Sequence, residues 1–281
     1  MRECSVRTLR GDEVQLAIDL AAAEGWNPGL HDARCFHAAD PQGFLTAQID
    51  GRFAGCISAV SYGGFGFIGL YIVLPQWRGQ GVGMQLWARG MARLAGQLVG
   101  LDGVPAQQDN YRRSGFRLAW RNARFEGQAR ARAQAGDPGL VTLAEVDFAA
   151  VCADDRRVFP APRERFLRAW IDMPQSSALA CVETGRLRGW GVIRACRVGH
   201  KIGPLVADTP DIAAALHAAL CSRVPAGEAV FLDVPMNNPD AVALAEREGM
   251  RVVFETARMY TGDAPACEMQ RVYGITSFEL G

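Results

Sequence analysis

The chain has 281 residues, 49% hydrophobic and 21% charged, an ordinary globular balance at a length slightly above the size at which one hydrophobic core stops growing, so two domains are expected. Its formal net charge is zero, which removes the electrostatic case for a general nucleic-acid binder. Eight cysteines are scattered singly with no CxxC pair, and there is neither an apolar leader nor an 18-residue apolar run, so the sequence reads as a reduced, cytoplasmic protein without a membrane span.

In chain order, Asp12 to Ala23 carries Val14, Leu16, Ile18 and Leu20 among alanines and predicts a helix ending near Gly25. FLTAQI, the dipeptide Asp50-Gly51 and FAGCISAV predict a hairpin. A further strand, FGFIGLYIV, stops at Pro75, and the glycine-rich QWRGQGVG leads into a helix through Leu94. A strand at QLVGL, a helix over 105–114 and a strand from Phe116 to Phe125 complete a first unit, 1–127. Residues 128–139 lack bulky apolar side chains and are expected to be a linker.

The second unit, 140–281, repeats this order. Helices are expected at 144–152 and 161–171, then the strands SALACV and LRGWGVI about the turn Thr184-Gly185, then the strand IGPLVA. Thr209-Pro210 and Asn238-Pro239 each read as a cap followed by a first helical residue, opening two helices on either side of the strand AVFLDV. RVVFETARMY closes the unit as a strand, and RVYGITSFEL has enough apolar residues to dock back on the protein.

The strand–turn–helix around YIVLPQWRGQGVGMQLW carries chemistry. Gly79, Gly81 and Gly83 let consecutive N–H groups converge, and the helix adds its positive end, so a pyrophosphate is stabilised there without a lysine. No GxxxxGK[ST] is present. The literal GxGxxG at Gly64, Gly66 and Gly69 is followed by strand rather than helix, so it is not a dinucleotide loop.

Gln76 to Gly81 matches the Q/R-x-x-G-x-G/A signature, and the chain thereby resembles the GCN5-related N-acetyltransferase (GNAT) superfamily; Tyr111 in YRRSGF matches that family's tyrosine four residues before a glycine. The resemblance covers about residues 5 to 125. It implies an α/β fold with a mixed sheet, acetyl-CoA as cosubstrate, and a pyrophosphate held by backbone N–H groups of Arg78, Gly79, Gln80, Gly81, Val82 and Gly83. It further implies that backbone around Ile72 and Val73 aligns the thioester, and that Tyr111 protonates the departing thiolate.

An amine attacks a thioester only when neutral, so a proton acceptor is also needed. Glu24 is the candidate, with helix termination as the competing role. Trp26 and Asp32 are candidates for the acceptor wall, against core packing and a solvated turn. His31, Cys35 and His37 lack a fourth partner for a metal, so no metal is expected, and Cys56 sits in an apolar strand without a base. Seven arginines between 112 and 132 are assigned to a solvated face, with a CoA-facing contribution as the alternative.

The second unit resembles the altered acetyltransferase domain found behind a normal one in two-domain bacterial proteins. It lacks the glycine loop. Asn238, Ala241 and Leu244 keep part of the family's last helix, but Ala245 occupies the tyrosine place. Trp190, His200, Lys201 and Asp233 are weaker cleft candidates, each with a structural alternative. The expected activity is transfer of acetyl to a small-molecule primary amine in a ternary complex, with an acyl-CoA sensor and a protein lysine acetyltransferase as alternatives. Neither nucleic acid nor a membrane is expected as a partner, and a homodimer is left open.

Overall fold

The computed structural model describes residues 4–130 and 139–281, so most of the expected linker lies outside the described residues. The first half runs β1 (Cys4–Thr8), α1 (Val14–Ala23), α2 (Asp32–Ala39), β2 (Phe44–Ile49), β3 (Arg52–Ser61), β4 (Phe65–Val73), α3 (Val82–Arg93), β5 (Leu98–Gly103), α4 (Gln108–Arg113) and β6 (Arg117–Gln128). The second runs β7 (Leu140–Thr142), α5 (Phe148–Val158), α6 (Glu164–Ile171), β8 (Ser176–Glu183), β9 (Arg186–Ala195), β10 (His200–Ala207), α7 (Pro210–Cys221), β11 (Ala229–Pro235), α8 (Pro239–Arg247), β12 (Arg251–Tyr260) and β13 (Val272–Gly274).

Local chemistry accounts for most boundaries. Asp50 and Gly51, both at positive φ, make the tight turn of the β2–β3 hairpin. Thr209 and Asn238 accept from the first-turn amides of α7 and α8, each followed by proline. The helix expected at 144–152 instead starts at Phe148, because Leu143–Glu145 closes as a 3-10 turn and Asp147 caps α5. Likewise α6 begins at Glu164 rather than at 161. Neither β1, α2 nor β7 carried a signal strong enough to be expected.

The thirteen strands of the described residues form one sheet, in the order β1-β2-β3-β4-β5-β12-β6-β11-β10-β9-β8-β7, with β13 paired to β10. The last strands of the two halves are exchanged. The strand expected over Phe116–Phe125 at the close of the first unit is β6, running from Arg117 to Gln128 and pairing with β11 and β12, while β12 takes the place beside β5. No strand edge is left open between the halves, which removes a site for misplaced pairing. Buried ion pairs fasten the exchange: Arg258 of β12 grips Asp102 of β5 at 2.8 and 2.6 Å, and Arg124 of β6 grips Asp233 of β11 at 2.6 and 2.8 Å.

On one face, α1 and α2 meet α5 and α6 in a core shared by both halves, where Phe36 stacks on Trp170 at 6.2 Å between ring centres. Each such fully buried aromatic contributes about 1.5–3 kcal/mol. On the other face, α3 covers the first half of the sheet, and α7 and α8 cover the second. No helix among the described residues is long and apolar enough to cross a membrane.

Candidate active site

Strands β4 and β5 pair in parallel only over Phe65–Ile68 and Leu98–Leu101, then part. Between Gly69 and Ile72 the β3 register slips by one residue, and the buried Leu70 takes a positive φ of 45°. A bulge of this kind bends the strand and releases backbone groups from the ladder. The opening below it is a cavity of about 530 Å³.

The glycine loop forms one wall. Gly79 and Gly81 sit at φ 75° and 81°, a region that costs a side chain about 1–2 kcal/mol, and a Cβ at either position would meet nothing within 4 Å. Gly81 opens α3 without a side-chain cap, so the first amides of that helix remain available. Gly83 leaves room for the Tyr71 hydroxyl, which would lie 2.6 Å from a Cβ there. Arg78 turns its guanidinium back, donating to the Val73 carbonyl at 2.8 Å and to Glu24 at 2.6 Å. Such a concave, cationic-ended, side-chain-poor surface fits a pyrophosphate.

Tyr111, projecting from α4, packs against Gly103, Trp87 and Phe116 and lines the cavity. Burial, with a smaller effect from Tyr71, pushes its phenol up to about 12. At neutral pH it is therefore a proton donor. Tyr71 from the bulged part of β4 lines the same space, and burial raises its pKa too.

Further lining comes from beyond the first half. Phe254 and Thr256 of β12 and Phe278 and Glu279 of the C-terminal tail line the cavity. The tail runs so close to the bulge that a Cβ on Gly69 would lie 2.2 Å from the Glu279 carbonyl oxygen. Gly69 is thus a point of close backbone approach. The same tail passes Gly203 of β10, whose Cβ would lie 2.5 Å from the Ile275 carbonyl oxygen.

The second half contains the matching divergence. β10 and β11 pair only over His200–Ile202 and Val230–Leu232, and beyond that point β13 enters: Gly274 pairs with Leu205, and Ile275 N–H donates to the Asp233 carbonyl at 2.8 Å. The chain's own tail fills this cleft.

Of the residues singled out from the sequence, Glu24, Trp26, Ile72, Val73, Arg78, Gly79, Gly83 and Tyr111 line the cavity together. Gln80 and Gly81 stand in the loop beside it, and Val82 opens α3. Gln80 donates to the Gln76 carbonyl, and the Val82 side chain is buried beneath the sheet, so only backbone is offered there. Asp32 is not brought to the cavity. It is 1% exposed, receives Arg194 at 2.9 and 3.3 Å and the Gly29 amide at 2.7 Å, and so joins the halves instead of meeting a ligand.

The other candidates also have structural employment. His31 bonds Gln175, His37 lies over Gly11, and the Cys35 thiol donates to the Ala169 carbonyl. No group of three or more metal-ligating side chains occurs among the described residues. Burial pushes Cys35 and Cys56 up to about 12. Trp190 donates to Asp154, His200 lies beside Glu228, and Asp233 is held by Arg124. Lys201 donates to the Asn27 carbonyl, and its pKa is lowered by burial and by Arg124. Sequence reasoning missed Tyr71, Asp102, Thr256, Phe254, Phe278 and Glu279. The apolar tail RVYGITSFEL was the one signal that could have led to the last two.

Residues 12–116 match the model of the acetyltransferase (GNAT) family, and residues 151–274 match a further acetyltransferase (GNAT) domain model. The holothin acyltransferase of Pseudoalteromonas sp. (strain SANK 73390) is 28% identical over 271 residues, spanning 96% of this chain and 92% of that one. A crystal structure from Pyrococcus horikoshii, assigned as an acetyltransferase, superposes with a TM-score of 0.83 at 22% identity, covering 100% of this chain and 97% of the other. A tandem GNAT protein from the clavulanic acid biosynthesis pathway superposes with a TM-score of 0.66 at 16% identity, covering 93% and 100%.

Proposed function

From the premise that this chain belongs to the GNAT acetyltransferase family, as an acyltransferase built of two such domains, we propose that it transfers acetyl from acetyl-CoA to the primary amine of a small molecule within a ternary complex. The observation that carries this reading is a single cavity lined both by the glycine loop and Tyr111 and by Phe254, Thr256, Phe278 and Glu279. Lining contributed by β12 and the C-terminal tail narrows the acceptor side and favours a compact free amine over a protein segment.

Bound acetyl-CoA supplies an activated thioester carbonyl. Backbone amides from Gly79 to Gly83 hold the pyrophosphate, the Arg78 amide donating instead to the Pro75 carbonyl, with Glu24 and Arg78 keeping the loop in place. Backbone around Ile72 and Val73, beyond the last β5 pairing, orients the pantetheine and the thioester. Tyr111 keeps its proton at neutral pH and delivers it to the departing thiolate. Trp26 forms part of the acceptor wall.

We assign residues 1–127 as the catalytic unit and 140–281 as the unit that completes its acceptor side. Its own cleft being filled by β13, the second unit holds no cosubstrate in this scheme. The buried free thiols suit a reducing cytoplasm.

The test is thiol release from acetyl-CoA with a panel of free amines, comparing wild type with Tyr111→Phe. Amine-dependent release that falls about a hundredfold or more in the variant supports the reading. Absence of release from every amine, with acetyl-CoA bound, refutes it.

A further inference from the structure

Three acidic residues, Glu24, Asp102 and Glu279, are among those lining the cavity, and their carboxylates are partnered unequally. Glu24 is held by Arg78 at 2.6 Å. Asp102 is gripped at both oxygens by Arg258 and accepts another bond from Asn122 at 2.7 Å. Glu279, only 5% exposed, accepts from the Ser277 hydroxyl at 2.9 Å and makes no ion pair among the described residues. The Ser277 oxygen in turn accepts from the Glu279 and Leu280 amides, so the carboxylate is fixed in its orientation.

A buried carboxylate outside any ion pair is costly, and the two arginines that act on Glu279 from a distance, Arg124 and Arg194, are themselves paired with Asp233 and Asp32. The Arg124 guanidinium nearby is spent on Asp233 and the Trp26 carbonyl, between the rings of Phe254 and Phe278. Thr256 lines the same cavity, its hydroxyl oxygen buried and without a hydrogen-bond partner among the described residues. Together these leave an acidic residue in a cavity whose lining includes the aromatic side chains of Trp26, Phe254 and Phe278. That combination recognises a primary ammonium on an apolar or aromatic carrier.

Resting on the amine-acceptor reading above, we propose that Glu279, carried into the first half's cavity by the C-terminal tail, binds the acceptor's ammonium group and takes its proton. The ammonium gives one proton to the Glu279 carboxylate. The neutral nitrogen bonds to the thioester carbonyl carbon as the carbon–sulfur bond breaks, Tyr111 protonates the thiolate, and the second N–H proton restores the phenol. Glu279 then releases its proton to water, so the products are amide, CoA thiol and one proton. The charged groups surrounding Glu279 are Asp102 on β5, Arg124 on β6 and Arg194 on β9.

The experiment compares full-length wild type, Glu279→Gln and Glu279→Asp. Acetyl-CoA binding is measured by calorimetry. Thiol release is measured with phenethylamine, which is protonated near neutral pH, and with O-benzylhydroxylamine, which is neutral there. In Glu279→Gln the expected result is acetyl-CoA affinity within about twofold of wild type and a loss in kcat/KM of about a hundredfold or more for phenethylamine. The loss is much smaller for O-benzylhydroxylamine, which brings no ammonium proton, and Glu279→Asp recovers part of the phenethylamine activity. Equal losses with both amines, or acetyl-CoA binding lost together with turnover, overturn the assignment by marking a structural role. Wild type that binds acetyl-CoA but turns over neither amine refutes the acceptor class itself. Wild type that is active and matched by Glu279→Gln refutes only the role of Glu279.

Discussion

Replacing Asp32 by asparagine separates a structural acid from a substrate-binding one. The carboxylate receives two bonds from Arg194, and both side chains are 1% exposed. Arg194 already has one nitrogen, Nη1, without a partner, and its guanidinium stacks over Trp170 at 4.3 Å. Removing the carboxylate charge therefore strands a cation that water cannot reach. Breaking a buried pair from one side costs about 3–5 kcal/mol, against a total stability of roughly 5–15 kcal/mol for such proteins. Arg194→Met should cost a similar amount. In the double variant the penalties should fall short of their sum by about 0.5–3 kcal/mol, because neither charge is then left alone. Urea unfolding followed by tryptophan fluorescence gives the three values. Single penalties under about 1 kcal/mol, or additive ones, refute the buried-pair account. In folded Asp32→Asn protein the amine KM should be unchanged; a rise of about tenfold or more would restore Asp32 to the acceptor site.

The geometry fixes four further outcomes. Gly81→Ala should raise the acetyl-CoA dissociation constant about 5- to 30-fold by opposing the left-handed backbone, as read by calorimetry; unchanged affinity would remove the loop from the cosubstrate site. Gly69→Ala drives a Cβ into the Glu279 carbonyl and should cost about 3 kcal/mol or release the tail, making the C-terminus sensitive to limited proteolysis; a stable, protected tail would contradict the close approach. Cys35 and Cys56, raised to about 12 by burial, should resist iodoacetamide in the native protein at mildly alkaline pH, and rapid labelling of either would show that it is not packed as described. Because the folded-state pKa of Tyr111 is raised, its contribution to stability is complete below its unfolded pKa of about 10 and is lost as pH rises toward about 12; phenolate absorbance assigned to Tyr111 by comparison with Tyr111→Phe should therefore appear late, and ionisation near the unfolded value would refute its burial.

Much of this architecture was legible locally. The Asp50-Gly51 turn, the caps at Thr209 and Asn238 and the loop Gln76–Gly83 announce themselves through residues that few other backbone conformations require. What local pattern does not encode is the partner of a strand. RVVFETARMY reads equally well beside β11 or beside β5, and only the buried pairs Arg258–Asp102 and Arg124–Asp233, far apart in sequence, distinguish the exchange. Asp32 was misplaced for the same reason, since its partner lies 162 residues away. Part of the acceptor wall belongs to the tail, and nothing local in the strand around Gly69 encodes the approach of the Glu279 carbonyl against it. The missing loop of the second unit was visible, but not that β13 occupies the corresponding cleft.

The most direct test of one working cleft and one filled cleft is the stoichiometry of CoA binding by equilibrium titration of the full chain. One CoA per chain, abolished by Gly81→Val, is the result this account predicts. Two per chain, or a single site indifferent to Gly81→Val, would contradict it.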